Sequence, residues 1–323
     1  MSTRNELLTY LKGHQGDWIS GEALSRRLAV SRAAVWKQIS KLREAGYVIL
    51  SSPKRGYLFS RASEMLLPAE IRDGIDTEVF GQKEIAHFSE LDSTNRTAKE
   101  LAIEGAPEGT LVVAEQQTKG RGRIGRNWHS PFQKGIYASL ILRPKLPPAE
   151  APKITLVTGV SVAETLLALT PLKPAIKWPN DILVGGRKIC GILTETGTEM
   201  DAIDFVVVGV GINVNNREFP DDLKETATSI YRETRKAVDR VTLMQEFLRQ
   251  FERSYFLFLR TGFESIGKRW RELAMLLGKE VTVRMIDRTC RGRVLELDRD
   301  GALLIKCESG ELERIYSGDI QVH

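Results

Sequence analysis

The 323-residue sequence predicts an α+β chain in three parts: a small helical unit with a β-hairpin, a mixed-sheet α/β domain and a small β-barrel. Three observations carry that prediction. Helical periodicity fills residues 1–62, strand-length apolar runs outnumber helices over 85–274, and short β-type runs with tight turns fill 275–323. Residues 63–84 are mixed and turn-rich, and read as a linker that packs a short helix.

A hydrophobic content of 42% over this length supports two or three cores and excludes a disordered chain. The net charge of +5 is too small to argue nucleic-acid binding by itself, so the placement of the cations matters more than their sum. No apolar segment with a cleavage site opens the chain, and no uncharged apolar run approaches membrane-spanning length, so a cytoplasmic protein is expected. Cys190, Cys290 and Cys307 are far apart without CxxC spacing, and His14, His87, His129 and His323 are scattered. Neither a disulfide framework nor a metal site is expected, and each cysteine reads as a small buried hydrophobe.

Each element has a local reason. "NELLTYLKGH" sets Leu7, Leu8 and Leu11 on one helical face, and "SGEALSRRLAV" starts at an N-cap, Ser20, with Leu24 and Leu28 one turn apart. "SRAAVWKQISKLREAG" opens at Ser31, turns Val35, Ile39 and Leu42 inward and ends at Gly46, suited to a left-handed cap. Its other face carries Arg32, Lys37, Lys41 and Arg43, and "LAVS" is the short connection of a helix-turn-helix. "YVILSSPKRGYLF" then reads as two strands around a basic tip, a wing. The arrangement resembles a winged-helix DNA-binding domain: Ser31, Arg32, Ala33, Trp36, Lys37 and Lys41 would face the major groove, and Lys54 and Arg55 the backbone or minor groove. The plainer alternative is an interaction module whose basic face is merely solvated.

From Ile85, strands are expected at "IAHFSEL", "GTLVVAEQQ", "GIYASLILR", "AIKWPNDILV", "RKICGILTET" and "DFVVVGVGINVN", with helices near 95–105 and 152–169. A hairpin at Gly185 and Gly186 favours a mixed sheet over a doubly wound parallel one. A helical segment over 242–277 follows, then "KEVTVRM", "CRGRVLELD", "GALLIKCE" and "LERIYSGDIQV" as the strands of the barrel.

Within "GRGRIGRNW", Gly120, Gly122 and Gly125 have the GxGxxG spacing of a dinucleotide-binding turn. A strand precedes them, but no helix opens after Trp128; Ser130, Pro131 and Gly135 punctuate a loop instead. Arg121, Arg123 and Arg126 add cations that such a turn does not need, so the stretch reads as a mobile loop closing over an anion.

Three further polar clusters sit at strand ends or loops: "DSTN" (92–95), "KWPND" (177–181) and "GRKICGIL" with Lys188. Ser93 and Thr94 have a plain alternative role as helix caps. The order DSTN, EQQTKGRGRIGRNW, KWPND, GRKICGIL and GVGIN resembles the biotin protein ligases over essentially the whole chain, and with the N-terminal winged helix it resembles the subset that also repress biotin operons. The resemblance implies the catalytic fold of the biotin/lipoate ligase type with a C-terminal SH3-like barrel, and a two-step acyl transfer. Biotin carboxylate attacks the α-phosphate of ATP, with Mg²⁺ accompanying the nucleotide, and a carrier-protein lysine then takes the acyl group.

By family position, Ser93, Thr94, Asn95, Gln117 and the backbone at Arg121 would satisfy the ureido ring, Gly120 and Gly122 would let the loop close, and Trp128 would cover the acyl chain. Lys188 would meet the carboxylate, and Arg123 and Arg126 would hold phosphate, because bringing a carboxylate to a triphosphate needs positive charge. Gly191, Ile192, Gly209 and Gly211 would flank the apolar tail and thiophane ring, and Asn180 and Asn213 would read adenine. Asp181 would bind Mg²⁺-linked phosphate or help deprotonate the incoming lysine, and Lys177 would add charge near the acyl phosphate.

The resemblance also implies partners: the biotin carboxyl carrier protein of acetyl-CoA carboxylase, pyruvate carboxylase as a further acceptor, operator DNA, and a ligand-promoted homodimer through the central sheet. Ile124 stands where some relatives carry another cation, and the C-terminal segment has the family's position without a residue-level motif. Two rival readings remain at this point: a lipoate or octanoate protein ligase sharing the catalytic fold, and a ligand-sensing repressor without catalysis.

Overall fold

A computed structural model describes residues 3–199, 202–285 and 287–323. The chain divides into two compact units, Met1–Asp73 and Gly74–His323.

The first unit runs α1 (Thr3–Lys12), β1 (Trp18–Ile19), α2 (Gly21–Leu28), α3 (Arg32–Glu44), β2 (Val48–Ser52), β3 (Gly56–Arg61) and α4 (Pro68–Arg72). The expected caps form: Ser20 Oγ accepts from the Ala23 amide at 3.0 Å and Ser31 Oγ from the Ala34 amide at 3.2 Å. Gly46, at φ +86°, follows the end of α3. Leu7, Leu11, Leu24, Val35, Ile39 and Phe59 fill one core, and β3 pairs with both β1 and β2 to build the wing. Burying that apolar face is what holds helices this short together. From the stretch read as a linker, α4 joins this unit: Tyr47 donates to Glu70 at 2.6 Å, and Lys12 Nζ lies 2.7 Å from both Glu70 and Asp73.

The second unit begins with β4 (Ile85–Phe88), α5 (Thr94–Ile103), β5 (Leu111–Ala114), β6 (Gly135–Leu142), α6 (Ala151–Leu169), β7 (Ala175–Lys177), β8 (Asp181–Val184), β9 (Arg187–Glu199) and β10 (Ala202–Asn213). Its seven-stranded sheet has the order β4-β5-β6-β10-β9-β8-β7, parallel only between β4 and β5, so the mixed sheet is as expected. The run "AIKWPNDILV" is two strands rather than one, because the chain reverses at 178–180 and pairs Lys177 with Asp181. Gly185 and Gly186, at φ 56° and 78°, make the two-residue turn between β8 and β9.

Helix α6 lies in the core, with Ile154, Val157, Val160 and Leu166 buried. Pro148–Leu169 is long and apolar enough to cross a membrane, at a mean hydropathy of 1.3, but it carries Glu150, Lys153 and Glu164, so it is not an uncharged run, and 67% of that window is buried inside the protein. The helical stretch 242–277 is two helices, α8 (Arg240–Thr261) and α9 (Glu264–Leu273), after a short α7 (Ile230–Thr234). Gly262, at φ +77°, ends α8. Finally β11 (Glu280–Arg284), β12 (Thr289–Leu297), β13 (Leu303–Cys307), β14 (Leu312–Ile315) and β15 (Asp319–Val322) form an antiparallel sheet in the order β14-β13-β12-β11-β15. The run "LERIYSGDIQV" supplies its last two strands.

Candidate active site

A cavity of about 510 Å³ opens over β9 and β10, between the N-terminus of α5, the arginine-rich loop and the turn joining β7 to β8. It brings together every residue that the sequence reading assigned to small-molecule binding or chemistry except Gly120, and among its further lining residues are His129, Phe219, Leu223 and Asp319.

One end is a polar floor whose orientation is determined residue by residue. The Thr94 amide, free at the start of α5, donates to Gln117 Oε1 at 2.8 Å, which turns Gln117 Nε2 toward Ser130 Oγ at 2.9 Å. Ser93 occupies the N-cap position without a side-chain cap hydrogen bond, so capping does not account for its hydroxyl. Asn95 is 4% exposed; its Nδ2 donates to Leu193 O at 3.1 Å and Glu195 at 2.8 Å, and its Oδ1 accepts from Ser139 at 2.7 Å. Ser139 and Glu195 had no sequence motif around them. They reach Asn95 only through the pairing of β6, β10 and β9.

The slot glycines make room for site side chains. A Cβ on Gly209 would lie 1.8 Å from Asn95 Oδ1, one on Gly211 2.4 Å from the Trp128 indole, and one on Gly191 3.0 Å from both Trp128 and Lys188. Gly120 lies at the base of the loop, where a Cβ would meet Trp128 O at 2.4 Å, and its carbonyl accepts from the Trp128 amide at 2.9 Å. It shapes the loop and does not line the pocket.

The other end is cationic. Lys188 Nζ lies 2.6 Å from Asp181 Oδ1 and 5.4 Å above the Trp128 ring. Arg123 donates to Asn180 Oδ1 at 3.0 Å, and Asn180 Nδ2 donates to Ile192 O at 2.9 Å. Both ends of the Asn180 amide are therefore engaged, and in this arrangement Asn180 links Arg123 to β9. Burial pulls Arg123 below the usual guanidinium range, and the nearby Asp181 and Asp319 oppose that shift. Arg126 forms an ion pair with Asp319 on β15. Asn213, at the end of β10, is 3% exposed and also lines the cavity, as does Lys177.

The loop itself makes one 3₁₀ turn, Arg123–Gly125, closed by Gly122 N to Arg126 O at 2.7 Å, with Ile124 at φ 54°. No α-helix follows, so the dinucleotide-turn reading fails structurally as it does in sequence.

Residues 88–213 match the Biotin/lipoate A/B protein ligase family, residues 3–58 an HTH domain, and residues 276–322 the Biotin protein ligase C terminal domain. The chain is similar to the Bifunctional ligase/repressor BirA of Bacillus subtilis (strain 168), 41% identical over 321 residues that cover 99% of this chain and 98% of that one. The chain belongs to the biotin protein ligase family. Its similarity to the BirA ligase/repressor of Escherichia coli (strain K12) is 32% over 308 residues, 95% of this chain and 94% of that one. Among solved structures, the biotin protein ligase from Aquifex aeolicus in complex with biotin and ATP superposes with a TM-score of 0.65 at 33% identity, covering 75% of this chain and 99% of that one. Within the ligase fold one sequence expectation changes. Cys290 and Cys307, distant in sequence, meet across β12 and β13 with Glu313 beside them.

Proposed function

We propose that the protein is an ATP-dependent biotin protein ligase that also acts as a biotin-responsive repressor of biotin synthesis genes. The observation that carries this reading is the position of Lys188 Nζ, held between Asp181 and the Trp128 ring where the polar floor meets the cluster of Arg123 and Arg126.

In the first step a biotin carboxylate oxygen forms a bond to the α-phosphorus of ATP, the bond to the bridging oxygen breaks, and pyrophosphate leaves. Lys188 shifts from Asp181 to the carboxylate, and Arg123, already desolvated, exchanges Asn180 for phosphate oxygens. Trp128 covers the acyl chain, while Gln117, Asn95 and the α5 amides meet the ureido ring, whose polar groups need partners once buried. In the second step a carrier-lysine amine attacks the acyl carbon, the bond to the phosphate oxygen breaks and AMP leaves; Asp181, once Lys188 has moved, accepts the amine proton. Asp181 lines the pocket and would hold the Mg²⁺ that accompanies the triphosphate, which when bound would offset the phosphate charge. Asn213, which lines the same cavity, would read the adenine.

The acceptor is the biotin carboxyl carrier protein of acetyl-CoA carboxylase, with pyruvate carboxylase as a second, and the site of action is the cytoplasm. Repression assigns operator contact to α3 and the wing, where Arg32, Lys37 and Lys41 are exposed and Trp36 is 60% exposed. One unit contacts one half-site, so repression calls for a homodimer. Beyond Ile192, β9 pairs only with β10 among the described residues and leaves a strand edge for a second copy. Ligand that orders the arginine loop and the "LRPKLPPAEA" loop would strengthen that pairing.

The test is ATP-dependent transfer of labelled biotin to a carrier fragment, with lipoate and octanoate as competitors. Transfer of biotin alone supports the reading. Transfer of lipoate or octanoate instead would keep the fold and change the substrate, and ligand binding without any transfer would leave a sensor.

A further inference from the structure

We propose that Cys290 and Cys307 form a reversible disulfide, a modification site separate from the catalytic cavity. The antiparallel ladder of β12 and β13 pairs Gly292 with Cys307, which sets Cys290 diagonally across from Cys307, two residues along the facing strand. The two Sγ atoms are in contact at 2.6 Å, and no third cysteine is near, since Cys190 lies on β9 and is fully buried. Their environments divide the roles. Cys307 is partly exposed and is the thiol that an outside reagent reaches; Cys290, at 4% exposure, is the resolving thiol.

The oxidant is a low-molecular-weight disulfide. Cys307 loses its proton and its sulfur attacks the reagent, breaking the reagent's S–S bond and releasing one thiol; Cys290 then loses its proton, attacks Cys307 Sγ and releases the second. Two protein thiols give up two electrons and two protons, and one disulfide becomes two thiols. Burial, then the hydrogen bond with Cys290, push the Cys307 thiol up to about 12, which keeps Cys307 protonated and makes the first attack the slow step. Contact between the sulfurs makes the second fast.

The bond closes the open end of the β12–β13 hairpin. At its other end the hairpin turn is already tied to the KWPND segment, where Trp178 Nε1 donates to Gly301 O at 3.1 Å. Oxidation therefore constrains the unfolded chain over 290–307 and raises the thermal midpoint of the full-length protein.

The experiment incubates the full-length protein with oxidised glutathione, then counts free thiols after denaturation and maps linked peptides by mass spectrometry. The expected result is loss of two of three thiols, the mass of two hydrogens lost per chain, one Cys290–Cys307 linked peptide, a raised thermal midpoint and full reversal by dithiothreitol. In Cys290→Ser the reagent instead stays on Cys307 as a mixed disulfide. Three unreacted thiols, a linked peptide containing Cys190, or a stable mixed disulfide on the wild-type chain would overturn the proposal. So would tight one-to-one binding of zinc ion that blocks cross-linking, because Cys290, Cys307 and Glu313 would then be a metal site.

Discussion

Arg126 in the arginine-rich loop is ion-paired to Asp319 at the start of β15, so the C-terminal sheet holds the loop at the edge of the catalytic cavity. With side-chain exposures of 66% and 44% the pair is a surface one, worth at most about 1 kcal/mol. It can steady the loop without competing strongly against phosphate. Asp319→Asn is therefore expected to speed tryptic cleavage after Arg121, Arg123 and Arg126 in the ligand-free protein, with biotin and ATP together restoring protection. Unchanged cleavage would mean that Asp319 does not hold the loop.

Gly209 has no room for a methyl group, because Asn95 Oδ1 occupies the place where it would go. Gly209→Ala pushes the Asn95 amide off Ser139 and Glu195. Biotin affinity by calorimetry is expected to fall at least about tenfold, roughly 1.4 kcal/mol, because the ureido ring loses an oriented partner. Retained affinity would remove Asn95 from the site.

Glu195 accepts only, so its bond to Asn95 Nδ2 keeps Oδ1 turned toward Ser139 and the slot. Glu195→Ala is expected to raise the biotin KM in pyrophosphate exchange several-fold, while kcat stays within about twofold, because Leu193 O still holds Asn95 Nδ2. A fall in kcat at unchanged KM would contradict this role.

Lys37 and Lys41 on α3 are exposed cations of the kind that contact DNA backbone. Lys37→Ala is expected to weaken operator binding about equally across sequences and to lower the slope of log affinity against log salt by about one. An unaltered slope would mean that Lys37 does not touch phosphate.

Burial holds the His129 imidazole below its ordinary value of 6.5, with Asp222 opposing the shift. The folded chain thus prefers the neutral form. The stability this contributes is full above 6.5 and is lost as pH falls through the lower folded value, because the unfolded chain takes the proton first. His129→Gln is expected to flatten the decline of the thermal midpoint as pH falls below 6.5. A parallel decline in both proteins would show that His129 does not carry this dependence.

What the sequence made legible was local. Ser20 and Ser31 cap their helices, Gly185 and Gly186 turn a hairpin, and the arginine loop refuses a dinucleotide turn, each for reasons held within a few residues. The reversal at 178–180 was hidden because "AIKWPNDILV" has strand composition on both sides of it. Asp319, Ser139, Glu195 and the meeting of Cys290 with Cys307 depend on strands brought together from distant sequence, where no periodicity reports the partner. Gly120 had the motif spacing, and its close approach to Trp128 O is visible only in the path of the loop.

The central claim is that Lys188, between Asp181 and Trp128, promotes adenylation of biotin. The most direct test is biotin-dependent exchange of labelled pyrophosphate into ATP by the wild-type chain and by Lys188→Ala, which isolates the first step without a carrier. The account predicts exchange that requires biotin and falls by at least about a hundredfold in the variant. Exchange that proceeds equally well in Lys188→Ala, or that wild type supports with lipoate or octanoate but not with biotin, would contradict it.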